Sequence, residues 1–169
     1  MNIITITLNP AYDVHYGINA FVPFKENYVD NAYIDAGGKG INVSRTLNVN
    51  GIDNTAYIIA GKENSAGFIK EIEQANIKYN LIEVDGNIRK NITIHSENSP
   101  ETRISFDTFF VKEEIITKLQ DELTKICSDE TIIIFAGRIP KGVSNERIIE
   151  FLNTLKQKTN KASIAVPKP

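Results

Sequence analysis

The chain has 169 residues, 41% hydrophobic and 24% charged, with a net charge of −2, which fits one domain with a real core and gives no electrostatic footprint for nucleic acid or an anionic membrane. No apolar run is long enough to span a bilayer, and the first ten residues lack the basic start and cleavage site of a signal peptide. The single cysteine, Cys127, excludes an internal disulfide; its amphipathic setting predicts a buried structural thiol, and the expected compartment is the cytoplasm.

Asn2 to Leu8 is β-branched and mostly apolar, a buried strand stopped by Asn9-Pro10. Val14 to Ile18 and Tyr28 to Ile34 have mixed polarity and read as strands with one wet face. Gly37-Gly38-Lys39-Gly40 breaks the chain, and a helix is predicted from Ile41 to about Asn48, before Asn50-Gly51. Thr55 to Ala60 reads as a strand, Ser65 to Ala75 as a helix and Tyr79 to Val84 as a strand. Ile88 to His95 and Thr102 to Phe106 flank a turn over Ser96 to Pro100, which predicts a hairpin. Glu113 to Ile126 carries an apolar stripe of helical period. Thr131 to Ala136 is a buried strand. Ser144 to Gln157 is a helix with Ser144 as its N-cap, and Ala162 to Val166 starts a last strand.

Alternating strands and helices predict a parallel sheet covered by helices. Two β-rich insertions, about 12–35 and 88–107, are expected to pair as a separate small sheet. A last strand with nothing behind it would leave an edge uncovered, so the sequence reads as part of a longer domain.

Chemistry concentrates at the strand ends, where such folds bind ligands. Gly37, Gly38 and Gly40 bracket Lys39 at a helix start, where free N–H groups and the dipole favour an anion. Asn42 can donate to and accept from a sugar hydroxyl. A flexible turn with a solvated lysine is the alternative, and the spacing is not that of a Walker P-loop. Asp13, just past a strand end, suits paired sugar hydroxyls or an ordinary turn. Arg89, Asn91 and Thr93 share one strand face; Arg89 suits a phosphate, and a polar hairpin face is the alternative. Arg103 is a weaker phosphate candidate, and Arg138 sits in a loop that could reach an anion. His15 and His95 stand apart in sequence, with no partners at metal or triad spacing.

Together these motifs resemble the PfkB (ribokinase-like) family of sugar kinases, most closely its 1-phosphofructokinase and tagatose-6-phosphate kinase members. Thr5-Ile6-Thr7-Leu8-Asn9-Pro10-Ala11-Tyr12-Asp13 resembles the family's T-x-N-P-x-x-D opening. Ala36-Gly37-Gly38-Lys39-Gly40-Ile41-Asn42-Val43-Ser44-Arg45 is very similar to its signature. Arg89-Lys90-Asn91-Ile92-Thr93 resembles its R-x-N-x-T strand, and Ala136-Gly137-Arg138-Ile139-Pro140-Lys141-Gly142 its S-G-S-L-P-x-G loop, with Arg138 in place of the second serine.

The resemblance implies a ribokinase-like α/β domain with a β lid. It implies ATP- and Mg²⁺-dependent phosphorylation of a ketose phosphate: fructose 1-phosphate, or alternatively tagatose 6-phosphate. The substrate is expected on Asp13, Gly37, Gly38, Lys39, Asn42, Arg89, Asn91 and Arg138, and lids of the family often pair across a dimer. The family's G-A-G-D motif, which carries the catalytic base, does not occur in the sequence. No catalytic residue and no metal ligand is therefore expected here, and the chain alone is expected to be inactive. A non-catalytic paralogue that binds sugar phosphate or a partner chain is the alternative.

Overall fold

The computed structural model describes residues 2–97, 99–159 and 161–165, the last of these as backbone. In chain order the elements are β1 (Asn2–Thr7), β2 (Ala11–Ile18), β3 (Asn31–Gly37), α1 (Lys39–Val49), β4 (Thr55–Gly61), α2 (Ser65–Gln74) and β5 (Lys78–Val84). They continue with β6 (Arg89–Ser96), β7 (Ser99–Ser105), α3 (Glu113–Ile126), β8 (Thr131–Ala136), α4 (Asn145–Lys156) and β9 (Lys161–Ala165).

The larger sheet has the order β5-β4-β1-β8-β9 and is parallel throughout. Parallel strands are joined by crossovers and must be covered on both faces. One face packs Ile4, Ile6, Phe135 and Leu8 against Leu119 and Leu123 of α3 and Phe151 and Leu155 of α4. The other packs Ala56, Ile58 and Ala60 against Ile41 of α1 and Phe68 and Ile72 of α2. The result is the expected α/β domain, a parallel sheet between helices. No helix among the described residues is long and apolar enough to cross a membrane.

The smaller sheet has the order β3-β2-β6-β7. The two insertions do pair with each other: β2 lies parallel to β6, from Ala11↔Arg89 to Ile18↔Ser96. Antiparallel β3 and β7 flank them. Strand β2 follows β1 after three residues, so the small sheet springs directly from the carboxyl end of β1.

Three local expectations are corrected. The strand expected over Tyr28 to Ile34 lies at Asn31–Gly37; Tyr28 and Val29 are exposed and outside it. Pairing decides this, because Gly37 closes the ladder opposite Ala11. The glycine run is therefore no loop: β3 ends at Gly37 and α1 starts at Lys39, with Gly38 between them at φ +142°. Pro100, expected in the hairpin turn, lies inside β7. That strand is a sheet edge, where a missing N–H is tolerated. The Val166 end of the last strand lies outside the described residues.

Candidate functional site

The three-residue link from β1 to β2 carries Asn9, and the start of α1 lies against it. A Cβ on Gly38 would stand 2.9 Å from Thr7 Cγ2, and one on Gly40 would stand 2.4 Å from Thr7 Oγ1 and 2.7 Å from the Ile6 carbonyl. The helix start thus presses onto β1 more closely than any side chain permits. The Asn42 N–H closes the first turn on the Gly38 carbonyl at 2.8 Å. The amides before it point out of the helix end, the arrangement that favours an anion.

Above this floor a chain of side-chain hydrogen bonds runs from one sheet to the other. Asn9 Oδ1 accepts from Thr108 Oγ1 (2.8 Å) and from Arg89 Nε (3.0 Å). Arg89 Nη1 donates to Asn91 Oδ1. Asn91 Nδ2 donates to Asp13 Oδ1 at 2.9 Å. On its other side Asp13 leans on bare backbone, since a Cβ on Gly37 would fall 2.1 Å from Asp13 Oδ2. Asp13 is thereby aimed by a missing side chain and by an amide. Burial, and then the like charge of Arg138, lower the Arg89 guanidinium from its ordinary value, while Asp13 opposes them; an arginine stays charged at neutral pH all the same.

Asp13, Gly38, Lys39, Asn42, Arg89, Asn91 and Arg138 all line one pocket of about 580 Å³, together with Asn9, His15, Thr93 and Arg103. That volume suits a small ligand. Of the residues expected from the sequence, Gly37 alone is absent from the lining; it acts from behind by making room for Asp13. Lys39, Asn42 and Arg138 are exposed on the pocket wall, and Arg45 reaches back from α1 to the Ala36 carbonyl (2.9 Å) and Asn42 Oδ1 (3.4 Å). The lining holds four permanent cations, Lys39, Arg89, Arg103 and Arg138, against one carboxylate, Asp13. Such a surface can accept hydrogen bonds from hydroxyls at Asp13 and offset the charge of an anion.

Two features went unread in the sequence. Asn9, read as part of a strand-ending turn and of the opening motif but given no role, is the joint between the sheets. His15 and His95, which stand apart in sequence, meet: His15 Nδ1 lies 2.9 Å from His95 Nε2, and His95 Nδ1 lies 3.0 Å from Glu101 Oε1. Parallel pairing of β2 with β6 joins residues 80 apart, which no local spacing reveals. Alternation with Asp13 two residues before His15 was the available signal. Among the described residues, no group of three or more His, Cys, Asp or Glu side chains is arranged to hold a metal ion.

Residues 6–169 match the model of the "pfkB family carbohydrate kinase". The chain is 30% identical over 156 residues to 1-phosphofructokinase of Haemophilus influenzae, covering 92% of this chain and 50% of that protein. It is 28% identical to tagatose-6-phosphate kinase of Staphylococcus epidermidis, with 92% and 50% covered. Among solved structures, that of a putative phosphofructokinase from Staphylococcus aureus superposes with a TM-score of 0.81 at 29% identity, over 97% of this chain and 52% of that one. The chain spans about half the length of the curated relatives it matches. A match that runs from the first strand to the last residue, on a shared fold, places the lineage: this chain belongs to the pfkB family of carbohydrate kinases.

Proposed function

We propose that this chain supplies the sugar-phosphate site of an ATP-dependent ketose-phosphate kinase, which converts fructose 1-phosphate to fructose 1,6-bisphosphate. The observation that carries this reading is the hydrogen-bonded line Asn9–Arg89–Asn91–Asp13 set above the cationic, glycine-bounded start of α1. Asp13 accepts from sugar hydroxyls, Asn42 orients a further one, and Lys39, Arg89 and Arg138 offset phosphate charge. Phosphoryl transfer depends mainly on positioning and charge neutralisation, and these residues provide both. Resemblance to tagatose-6-phosphate kinase makes tagatose 6-phosphate the competing substrate.

The family implies ATP and Mg²⁺. The pocket's one carboxylate is engaged by Asn91, and the described residues offer no metal-holding cluster. No step is therefore assigned to the nucleotide or the metal on these residues. The general base is likewise assigned to none of them, since the sequence contains no G-A-G-D motif; the chain by itself binds substrate without turning it over.

A second copy of the chain is the proposed partner, through the outer face of the smaller sheet. Ile34, Val14, Ile92 and Ile104 form one cross-strand row there, and Ile34 and Ile104 are about half exposed. Sedimentation of the wild type and of Ile104→Glu tests it: a dimer that the charge splits is expected, and a monomeric wild type refutes it.

Calorimetry tests the site itself. Binding of fructose 1-phosphate that Asp13→Ala abolishes is expected; a folded chain that binds neither ketose phosphate refutes it.

A further inference from the structure

Two links meet beside the root of the smaller sheet: residues 62–64 between β4 and α2, and residues 85–88 between β5 and β6. Their backbones are zipped together. The Lys62 N–H donates to the Val84 carbonyl at 2.9 Å, and the Glu63 N–H to the Gly86 carbonyl at 3.1 Å. The two links approach so closely that a Cβ on Gly61 would stand 2.4 Å from the Gly86 carbonyl oxygen. At Ser65 the first link turns into α2, and its backbone can no longer follow the second. There the Asn64 side chain takes over. Its Oδ1 accepts from the Ile88 N–H at 2.7 Å, and its Nδ2 donates to the Ile88 carbonyl at 3.0 Å. A side-chain amide thus adds one more rung, as a backbone peptide would.

Asn64 is the residue before α2, where an asparagine ordinarily caps its own helix. Its side chain makes no cap bond there; the amide is spent on Ile88 instead. Its backbone carbonyl is also engaged, accepting from the Tyr12 hydroxyl at 2.6 Å. The Tyr12 ring packs edge-on against Phe68 of α2 at 5.5 Å, away from the pocket. A Cβ on Gly67 would stand 3.1 Å from the Tyr12 oxygen, so the glycine leaves that hydroxyl its room. One residue therefore holds both central strands of the smaller sheet, β2 through Tyr12 and β6 through Ile88. The next residue on each strand lines the pocket: Asp13 after Tyr12, and Arg89 after Ile88. Alternation turns these two to the face opposite their anchored neighbours.

We infer that Asn64, which does not line the pocket, is a positioning residue: it fixes the roots of β6 and β2, and so sets Arg89 against Asn9 and Asp13 against Asn91. The two strands run in parallel register from Ala11↔Arg89 onward, so a shift at Ile88 moves Arg89 first. The effect of Asn64 on ligand binding rests on the sugar-phosphate reading given above, whereas its hold on Arg89 does not. Asn64→Asp separates this role from helix capping. The variant keeps a good N-cap and suits the positive end of the helix dipole, but it cannot donate to the Ile88 carbonyl.

The test uses the full chain, as wild type, Asn64→Asp and Asn64→Ala. Fructose 1-phosphate and tagatose 6-phosphate are titrated by calorimetry, with thermal melts as a check on folding. Magnetic resonance follows hydrogen exchange of the Arg89 Nε–H, which donates to Asn9 Oδ1 at 3.0 Å. In Asn64→Asp that proton is expected to exchange about tenfold faster and fructose 1-phosphate to bind about tenfold more weakly, with no fall in melting temperature. Asn64→Ala is expected to show both losses and a lower melting temperature. Tyr12→Phe, which removes one hydroxyl, supplies the same two readouts where neither Asn64 variant folds. If the wild type binds fructose 1-phosphate, unchanged exchange or unchanged affinity in the folded variants overturns the positioning role and leaves the sugar-phosphate reading intact. Faster exchange in the variants of a chain that binds neither ketose phosphate keeps the role and overturns that reading. Unchanged exchange together with no binding overturns both.

Discussion

Asn91 donates from Nδ2 to Asp13 Oδ1 at 2.9 Å while its own Oδ1 accepts from Arg89. One amide therefore orients the pocket's carboxylate and its most buried cation at once. Replacing it with alanine frees both without removing either charge. Asn91→Ala is expected to weaken fructose 1-phosphate about tenfold to a hundredfold, on the order of 1.4–2.7 kcal/mol, with little change in melting temperature. Asn91→Asp, which keeps the shape but places a second carboxylate beside Asp13, is expected to bind less well than Asn91→Ala. Calorimetry of the two variants checks the order.

Gly40 is a packing residue, a reading distinct from a flexible loop. A methyl group there meets the Ile6 carbonyl at 2.7 Å and Thr7 Oγ1 at 2.4 Å, and backbone cannot swing aside as a long side chain can. Gly40→Ala is expected to destabilise the fold by about 1–3 kcal/mol, despite alanine's better helix propensity. Urea denaturation measures it, and a stabilised Gly40→Ala would contradict the close approach of α1 to β1.

Phe151 is fully buried and meets the Phe135 ring edge-on at 6.5 Å, tying α4 to β8 of the large sheet. Phe151→Ala is expected to lose about 3–5 kcal/mol. At Ser144, whose hydroxyl accepts from the Arg147 N–H at 3.0 Å, alanine is expected to lose only about 1 kcal/mol. The contrast separates a core contact from a cap on the same helix, and equilibrium unfolding reads both.

Burial raises the Cys127 thiol above its ordinary value. The thiolate is the reactive form, so at a given pH less of it is present than in an exposed cysteine. Alkylation of the native chain is expected to be slower than that of a peptide thiol throughout pH 7–9, with its rate profile displaced to higher pH. In urea the two profiles are expected to coincide. Native reactivity equal to the peptide's would show that the thiol is not shielded by the core it packs against.

Much of this was legible in the sequence where one element decides its own fate. The stripe of Glu113–Ile126 and the apolar run Thr131–Ala136 end in the structure where their patterns end. The clustering of Asp13, Lys39, Asn42, Arg89 and Arg138 was also foreseeable, because motif order carries over when the fold does. What stayed hidden depends on partners far along the chain. The register of β3 is set by Ala11↔Gly37 and not by its own alternation. Pro100 is admitted to β7 only because that strand is an edge. The His15–His95 contact and the Asn9 joint arise from pairings across 80 residues.

The central claim is that the Asn9–Arg89–Asn91–Asp13 line organises a site for a ketose phosphate. Calorimetric titration of the full chain with fructose 1-phosphate, beside Asp13→Ala, tests it most directly. Saturable one-to-one binding in the wild type, lost in a variant that melts normally, is the expected result. Equal affinity in the two proteins would contradict the account.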